Sequence, residues 1–511
     1  MTIKQGEHRG HATAALKAAF AALLVLAAAG ILVLLSVLMG RYVTLALLLF
    51  TLAGLITALR LGRRDVGAGC LWTWTVLLLA LPLAGLALYF FWGPWRKTAL
   101  PPSAPPPHKD YEYTRSADYI KRLEEGFPTW SRTARLLLKG DWMVYKNTAV
   151  TYFPDGDAYF ADVQERLERA EHFIFIEYSR LSEGRLWDRI FPILRNRAAQ
   201  GVEIKFLFDG MYSAGCLSPS MIAAMRQCGM EVMAYRPAGS FADRLRRDRR
   251  DRRCILVIDA DCAYTGAASL TDACANLVRR HGRWKDGAVL LEGEGAWGLT
   301  RQFLHLWEQL GGRLGNEYDY YRPHGPVKGE GWCQPFGDSP DHPAGRRTAE
   351  DLCLQAVAAA KQFLYLTAPD FAPGDSLLRA LAVAADSGVD VRIMLPGNPV
   401  QKSGQIRSGA FFAPLLERGV RIYTYTPGYL HSSLLVADGE MAVVCSANPA
   451  DELQGRHHLC GTVLYGMSAV EHILRDLQVT LEQCREIRPD QWHKRGIFRR
   501  WAESILRFFH I

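Results

Sequence analysis

His431 lies three residues after the turn dipeptide Pro427-Gly428 and just ahead of the apolar run Leu434-Leu-Val-Ala437. An imidazole at the mouth of a strand can attack an electrophile or carry a proton at neutral pH. A lone histidine can equally be structural. The segment His431-Ser-Ser-Leu-Leu-Val-Ala-Asp438 has an echo earlier in the chain, Arg252-Arg-Cys-Ile-Leu-Val-Ile-Asp259. Arg252 falls where His431 falls, and Asp259 where Asp438 falls. Guanidinium groups suit phosphate and carboxylate oxygens. Cys254 is a nucleophile only as a thiolate, and within an apolar strand it reads as a buried thiol. His457 and His458 follow a loop and read as surface residues. The eleven cysteines show no CxxC pair and no zinc-ligand spacing. They read as scattered thiols, and neither a metal nor a cofactor is expected.

The elements that must position these residues are duplicated. Phe173-Ile-Phe-Ile176, a helical stretch and Ala199-Gln-Gly-Val-Glu-Ile-Lys-Phe-Leu-Phe-Asp209 make one strand–helix–turn–strand unit. Phe363-Leu-Tyr-Leu366, a helical stretch and Asp386-Ser-Gly-Val-Asp-Val-Arg-Ile-Met-Leu395 make another. Gly229-Met-Glu-Val-Met-Ala-Tyr-Arg-Pro237 and Gly419-Val-Arg-Ile-Tyr-Thr-Tyr-Thr-Pro427 continue the repeat. Two similar α/β halves in tandem are expected to pack face to face and to build one site at their junction from corresponding residues.

Composition excludes several classes. With 49% apolar and 22% charged residues, the 511-residue chain is neither collagen-like, disulfide-dense nor mostly disordered. Length suggests roughly three domains at about 150 residues each. The net charge of +8 is diffuse, and nucleic acid is not expected as a partner. Apolar residues crowd the N-terminus. Ala18–Gly40, Tyr42–Leu59 and Val66–Trp95 read as three membrane segments, the second short, the alternative being two spans with an interfacial segment. The first run is too long for a cleavable signal peptide. Lys4, Arg9 and Lys17, with Arg60, Arg63 and Arg64, argue for cytoplasmic flanks, whereas Arg96 and Lys97 pull the other way. The expected organisation is a transmembrane anchor of about three helices (1–97), a Pro-rich linker and connecting segment (98–139), two α/β domains (140–325 and 326–487), and an amphipathic C-terminal helix (488–511). The chain is expected in a cell membrane, as a multi-pass protein.

Two segments are basic. Arg244–Arg253 holds seven arginines in ten residues. It reads as a solvated face or as a contact for anionic lipid headgroups, each basic residue near such a surface contributing about 1 kcal/mol. In Trp492–Ile511 the residues Ile497, Trp501, Ile505 and Phe508 recur at helical spacing among Lys494, Arg495, Arg499, Arg500 and Arg507. This reads as an interfacial helix or as a helix packed on the domain.

The two echoing strands fall where the phospholipase D superfamily carries paired HxK(x)4D(x)6GSxN motifs, and the chain resembles a bacterial cardiolipin synthase. Similar elements are Asp65 to Gly93, Tyr145-Lys-Asn-Thr148, Phe175-Ile-Glu-Tyr178, Phe208-Asp-Gly210, Tyr264-Thr-Gly266, Arg283-Trp-Lys-Asp286, Trp307, Thr424 to His431, Ala442-Val-Val444 and Ala447-Asn448. The resemblance implies two tandem phospholipase D-like αβα domains. It also implies phosphatidyl transfer between two phosphatidylglycerol molecules. One motif His would attack phosphorus. The other would protonate the leaving alkoxide, and Lys and Asn would hold the phosphate oxygens.

This chain departs from that pattern. In the first half the His position is Arg252, the Lys position Cys254 and the Asn position Ser269, with Asp259 and Gly266 kept. In the second half His431, Asp438, Ser446 and Asn448 are kept, the Lys position is Ser433 and the motif Gly is Cys445. His431, Asp438 and Asp259 are therefore the expected catalytic set. Asn448, Ser446, Ser433, Arg252, Arg253 and Ser269 are the expected phosphate-binding set. Losing a general acid costs roughly 10²–10⁴ in rate, so the expectation is a weak or inactive synthase. The alternative is a non-catalytic binder of anionic phospholipids such as phosphatidylglycerol and cardiolipin, or a partner of an active synthase.

Overall fold

The computed structural model describes residues 40–63, 68–92, 108–236, 250–325, 327–339, 347–398, 402–448 and 457–493, with a few isolated positions besides. The chain divides into two compact units, one holding the apolar helices and the other the α/β region.

In the first unit, helix Arg41–Gly62 contains the predominantly apolar stretch Thr44–Gly62, long enough to cross a bilayer, with Arg60 the one charged residue in its last turn. Its hydroxyls are satisfied within the helix: Thr51 Oγ1 donates to Leu47 O and Thr57 Oγ1 to Ala53 O, as an apolar surrounding demands. Gly54 lets Leu78 approach, since a Cβ there would lie 2.5 Å from the Leu78 carbonyl oxygen. The expected third span is two short helices, Ala68–Ala80 and Pro82–Trp92. Pro82 supplies no N–H to continue the ladder, and neither piece reaches the roughly 20 residues a span needs. Among the described residues one helix has the length and composition of a membrane span. The expected first span lies mostly outside the described residues. So do the arginine insert before Arg250 and the C-terminal segment beyond residue 496.

The α/β unit carries the repeat as two sheets of the same order. The first half contributes β1 (Thr148–Phe153), β2 (Phe173–Tyr178), β3 (Glu203–Asp209), β4 (Glu231–Tyr235), β5 (Cys254–Ile258), β6 (Cys262–Gly266), β7 (Arg283–Lys285) and β8 (Ala288–Gly293). The second half contributes β9 (Trp332–Asp338), β10 (Phe363–Thr367), β11 (Asp390–Pro396), β12 (Arg421–Tyr425), β13 (Gly428–Leu430), β14 (Leu434–Ala437), β15 (Met441–Cys445), β16 (Leu459–Tyr465) and β17 (Cys484–Ile487). The first sheet runs β1-β8-β6-β5-β2-β3-β4, and the second, read in the same sense, β9-β16-β15-β14-β10-β11-β12-β17. The parallel strands β2-β3-β4 match β10-β11-β12. The inner strands β2, β3 and β10 are almost wholly buried and rich in Ile, Leu and Phe, as covered parallel strands require.

The register fixes residue equivalences. Ile174 faces Ile258 as Leu364 faces Ala437. Gly266 faces Ala288 as Cys445 faces Gly461. The sheets meet through β5 and β6 on one side and β16 on the other, where Thr265 Oγ1 lies 3.3 Å from Cys460 Sγ. Helix Ala296–Gln309 is buried on nearly every face, through Trp297, Leu299, Phe303 and Trp307. The connecting segment before β1 is more than a linker. It holds helices Asp110–Gly126 and Pro128–Leu138, whose Leu123, Trp130 and Leu137 sit in the core.

Candidate active site

The site is built where the halves cross. β7 and β13 pair in parallel, one strand from each half. Two glycines permit the approach: a Cβ at Gly428 would lie 2.1 Å from Arg283 O, and one at Gly282, whose φ is +79°, 2.3 Å from Pro427 O. The crossing ends on Lys285, whose carbonyl accepts the N–H groups of His431 (2.8 Å) and Ser432 (3.1 Å). His431 Nδ1 then lies 2.5 Å from Asp286 Oδ1. Asp286 is buried and His431 about a quarter exposed, at 24%. With Nδ1–H donating to the carboxylate, Nε2 keeps its lone pair. Trp284 and Tyr429 flank the ring, with centroids 5.2 and 5.6 Å away. Burial, with the carboxylates of Asp370 and Asp286, pushes the Tyr429 hydroxyl well up. The base of the crossing is pinned by Lys285 Nζ to Asp476 Oδ1 at 2.7 Å, and Tyr152 donates to the other Asp476 oxygen at 2.8 Å.

The pseudo-twofold repeats the backbone but not the chemistry. Arg252 N donates to His458 O at 2.9 Å, as His431 N donates to Lys285 O. Arg252 thus occupies in the first half the place of His431. From the register, Asp286 corresponds to Leu459, which is fully buried in β16. One cross-half pair is an imidazole and a carboxylate, His431 with Asp286; the equivalent pair is an arginine and a leucine, Arg252 and Leu459.

Residues 353–476 match the family model described as "Cardiolipin synthase, PLD-like domain". The chain is 28% identical to cardiolipin synthase 2 of Bacillus anthracis over 85% of each protein. It is 32% identical to an uncharacterized protein of Streptococcus mutans, over 83% of this chain and 92% of that one. Among solved structures, phosphatidylserine synthase of Haemophilus influenzae superposes with a TM-score of 0.54 at 12% identity. The match covers 74% of this chain and 97% of that one, a likeness of fold. The chain belongs to the cardiolipin synthase family of the phospholipase D superfamily.

Within this cardiolipin synthase family fold, the expected site residues divide. Arg252 stays at the junction, half-buried, with Nη2 donating to Tyr212 OH at 3.1 Å and its guanidinium over the Tyr212 ring. Arg253 does not. It is buried between Glu177 (2.8 Å) and Asp251 (3.1 Å), so it neutralises interior carboxylates and is unavailable to phosphate. Cys254 lies within β5, and burial holds its thiol far above the ordinary value, which removes it as a nucleophile. Ser433 Oγ is buried with no hydrogen-bond partner among the described residues. Ser446 Oγ is used to accept Cys460 N at 3.1 Å, and Ser269 Oγ lies 3.3 Å from Ser179 Oγ. Asn448 Nδ2 donates to the carbonyl of Asp370, whose carboxylate pairs with Arg407.

Asp259 and Asp438, expected in the catalytic set, hold backbone N–H groups. Each has positive φ, at +51° and +52°. Asp259 accepts the backbone N–H groups of Glu171, His172 and Phe173 at 2.7–2.9 Å. Asp438 accepts those of Lys361, Gln362 and Phe363 at 2.8–3.0 Å. Each carboxylate clamps the start of a central strand, pointing away from the strand ends that carry His431 and Arg252. His457 and His458 are buried rather than surface residues. Arg250 N donates to His457 Nδ1 at 3.0 Å, and His458 Nε2 lies 3.1 Å from Tyr235 OH. The residue that sequence reasoning left without a role is Asp286. Its partner is 145 positions away, and only the parallel pairing of two three-residue strands brings them together.

Proposed function

We propose that this family member binds anionic phospholipid and carries out phosphatidyl chemistry with a single histidine, far more slowly on phosphatidylglycerol than a two-histidine site would. The observation that carries this reading is the His431–Asp286 pair opposite Arg252 and Leu459. His431 Nε2 attacks phosphorus, a P–N bond forms, and the P–O bond to the headgroup breaks. Arg252, at the place equivalent to His431 in the other half, supplies positive charge to the phosphate oxygens in place of lysine. No second imidazole stands ready to protonate the departing alkoxide, which costs roughly 10²–10⁴ in rate. Membrane attachment is part of the reading. It is supported by Thr44–Gly62 and by the exposed Leu48, Leu49, Leu52 and Leu59 on that helix.

The test separates bond-making from leaving-group protonation. The full chain in detergent is given the phosphatidyl ester of p-nitrophenol, whose anion leaves without a proton. A burst of about one nitrophenolate per chain is expected, with a slow steady rate after it and no burst in His431→Ala. Phosphatidylglycerol should be turned over at least about 100-fold more slowly than the aryl ester. Binding of phosphatidylglycerol vesicles without any burst would instead establish a non-catalytic lipid binder, the reading favoured if the half-site is inert. Rapid cardiolipin formation would overturn the single-histidine reading.

A further inference from the structure

We infer that Cys274, Asp286 and His431 form a binding site for a thiophilic divalent cation of the zinc class. Cys274 Sγ, one carboxylate oxygen of Asp286 and one ring nitrogen of His431 all lie within 4.8 Å of one another. In a tetrahedral zinc centre the bonds are about 2.0–2.3 Å, so ligand atoms stand about 3.3–3.8 Å apart. Small side-chain rotations close the difference. A second observation concerns the carboxylate of the same cluster. Asp286 is 1% exposed, its Oδ1 faces the imidazole, and its Oδ2 is buried with no hydrogen-bond partner among the described residues. A buried carboxylate oxygen left unpaired is costly, and a dication supplies what it lacks.

The donor set selects the ion. Thiolate, imidazole and carboxylate together suit zinc, or cobalt as its substitute, and are poor for magnesium or calcium, which take oxygen. Three protein ligands leave a fourth position for water or a lipid phosphate oxygen, the arrangement of an open rather than a closed zinc site. Without a cation, burial and the Asp286 carboxylate push the Cys274 thiol up; a bound dication reverses that balance and releases the thiol proton. The cluster escapes sequence inspection because its ligands come from both halves. Zinc there occupies the imidazole and withdraws it from phosphorus. Binding itself does not depend on the proposed phosphatidyl chemistry, so the two fail separately.

The experiment uses the metal-stripped full chain in detergent, titrated with Co²⁺. A near-ultraviolet thiolate-to-cobalt absorption saturating at about one equivalent is expected, displaced by Zn²⁺ and absent in Cys274→Ser. X-ray absorption of the zinc-loaded wild type gives a readout that needs no variant: one sulfur at about 2.3 Å and nitrogen or oxygen ligands at about 2.0–2.2 Å. An all-nitrogen-and-oxygen shell, or a cobalt band unchanged in Cys274→Ser, would overturn the site. If zinc also abolishes the nitrophenolate burst and a chelator restores it, the ion controls His431 directly. Zinc binding with an unaffected His431-dependent burst would take His431 out of the ligand set and overturn the three-ligand site.

Discussion

Asp286 and Leu459 occupy equivalent places beside the crossing of the two sheets, and only Asp286 carries a carboxylate. What is lost at the equivalent place is therefore a pair, the His at position 252 from the first half and its orienting acid at position 459 from the second, rather than one side chain. An imidazole restored at position 252 alone would meet leucine where His431 meets aspartate.

That asymmetry sets the first prediction. Asp286→Asn keeps the shape of the pocket but removes the negative charge and lets an amide N–H face Nδ1, which favours the tautomer with Nε2 protonated. The burst rate with the aryl ester should fall roughly 10²–10⁴-fold, while vesicle binding changes little. Stopped-flow release of nitrophenolate checks it; an unchanged burst rate would mean that Asp286 does not orient the ring.

Rebuilding the lost half should follow the same logic. Arg252→His, Cys254→Lys and Ser433→Lys together are expected to raise phosphatidylglycerol turnover only modestly. Adding Leu459→Asp should raise it by about another tenfold or more, within the range attributed to a positioned acid. The measurement is labelled cardiolipin formed per chain. A triple variant already as fast as the quadruple would show that the carboxylate is dispensable there.

Adjacent arginines should behave in opposite ways. Arg253 pairs with the buried Glu177 carboxylate in the interior, with Asp251 on its other side. Arg253→Met leaves that acid without its partner and should destabilise by about 3–5 kcal/mol. Much of this should return in Arg253→Met/Glu177→Leu. Arg252→Gln should shift the unfolding midpoint little and weaken binding to phosphatidylglycerol vesicles. Thermal unfolding and vesicle flotation separate the two.

Asp259 and Asp438 make a stability prediction where a catalytic one was expected. Each alanine variant strands three backbone N–H groups at the head of a central strand, β2 or β10. A loss of about 2–3 kcal/mol is expected for each. Asparagine at either position should recover part of it, because its amide oxygen still accepts. A variant with normal stability and no burst would return these residues to the chemistry.

Much of the fold was legible because it depends on local patterns. Buried β runs, Gly turns and the spacing of Phe173 and Phe363 expose the repeat, and the sheets carry it strand for strand. His431 was legible for the same reason, standing at the head of β14. What local patterns do not carry is pairing between halves. Asp286, Leu459, Cys274 and the burial of His457 and His458 all follow from contacts across that junction. The role of Arg253 was misread because a guanidinium beside the expected pocket suits phosphate and buried carboxylate equally, and only the position of Glu177 decides. The third apolar run was misread because hydropathy counts residues and ignores the break that Pro82 imposes.

The last prediction concerns pH. Asp338 closes β9, is buried, and accepts Ser339 N at 3.0 Å and Ala349 N at 3.1 Å. Burial pushes its carboxyl up to about 7, with Asp351 adding to the rise and the backbone N–H groups of Ala349, Ser339 and Thr348 opposing it. The folded chain thus holds this proton more tightly than the unfolded chain, whose value is the ordinary 3.8. The stabilisation is fully present below that ordinary value and is lost as pH rises through about 7. Within the window the slope cannot exceed about 1.4 kcal/mol per pH unit for one proton. Asp338→Asn removes the titration, so the stability of wild type relative to the variant should fall as pH goes from 5 to 8. Denaturant unfolding at each pH measures that difference. A difference that stays constant across the window would mean that Asp338 is ionised throughout, with the three N–H groups outweighing its burial.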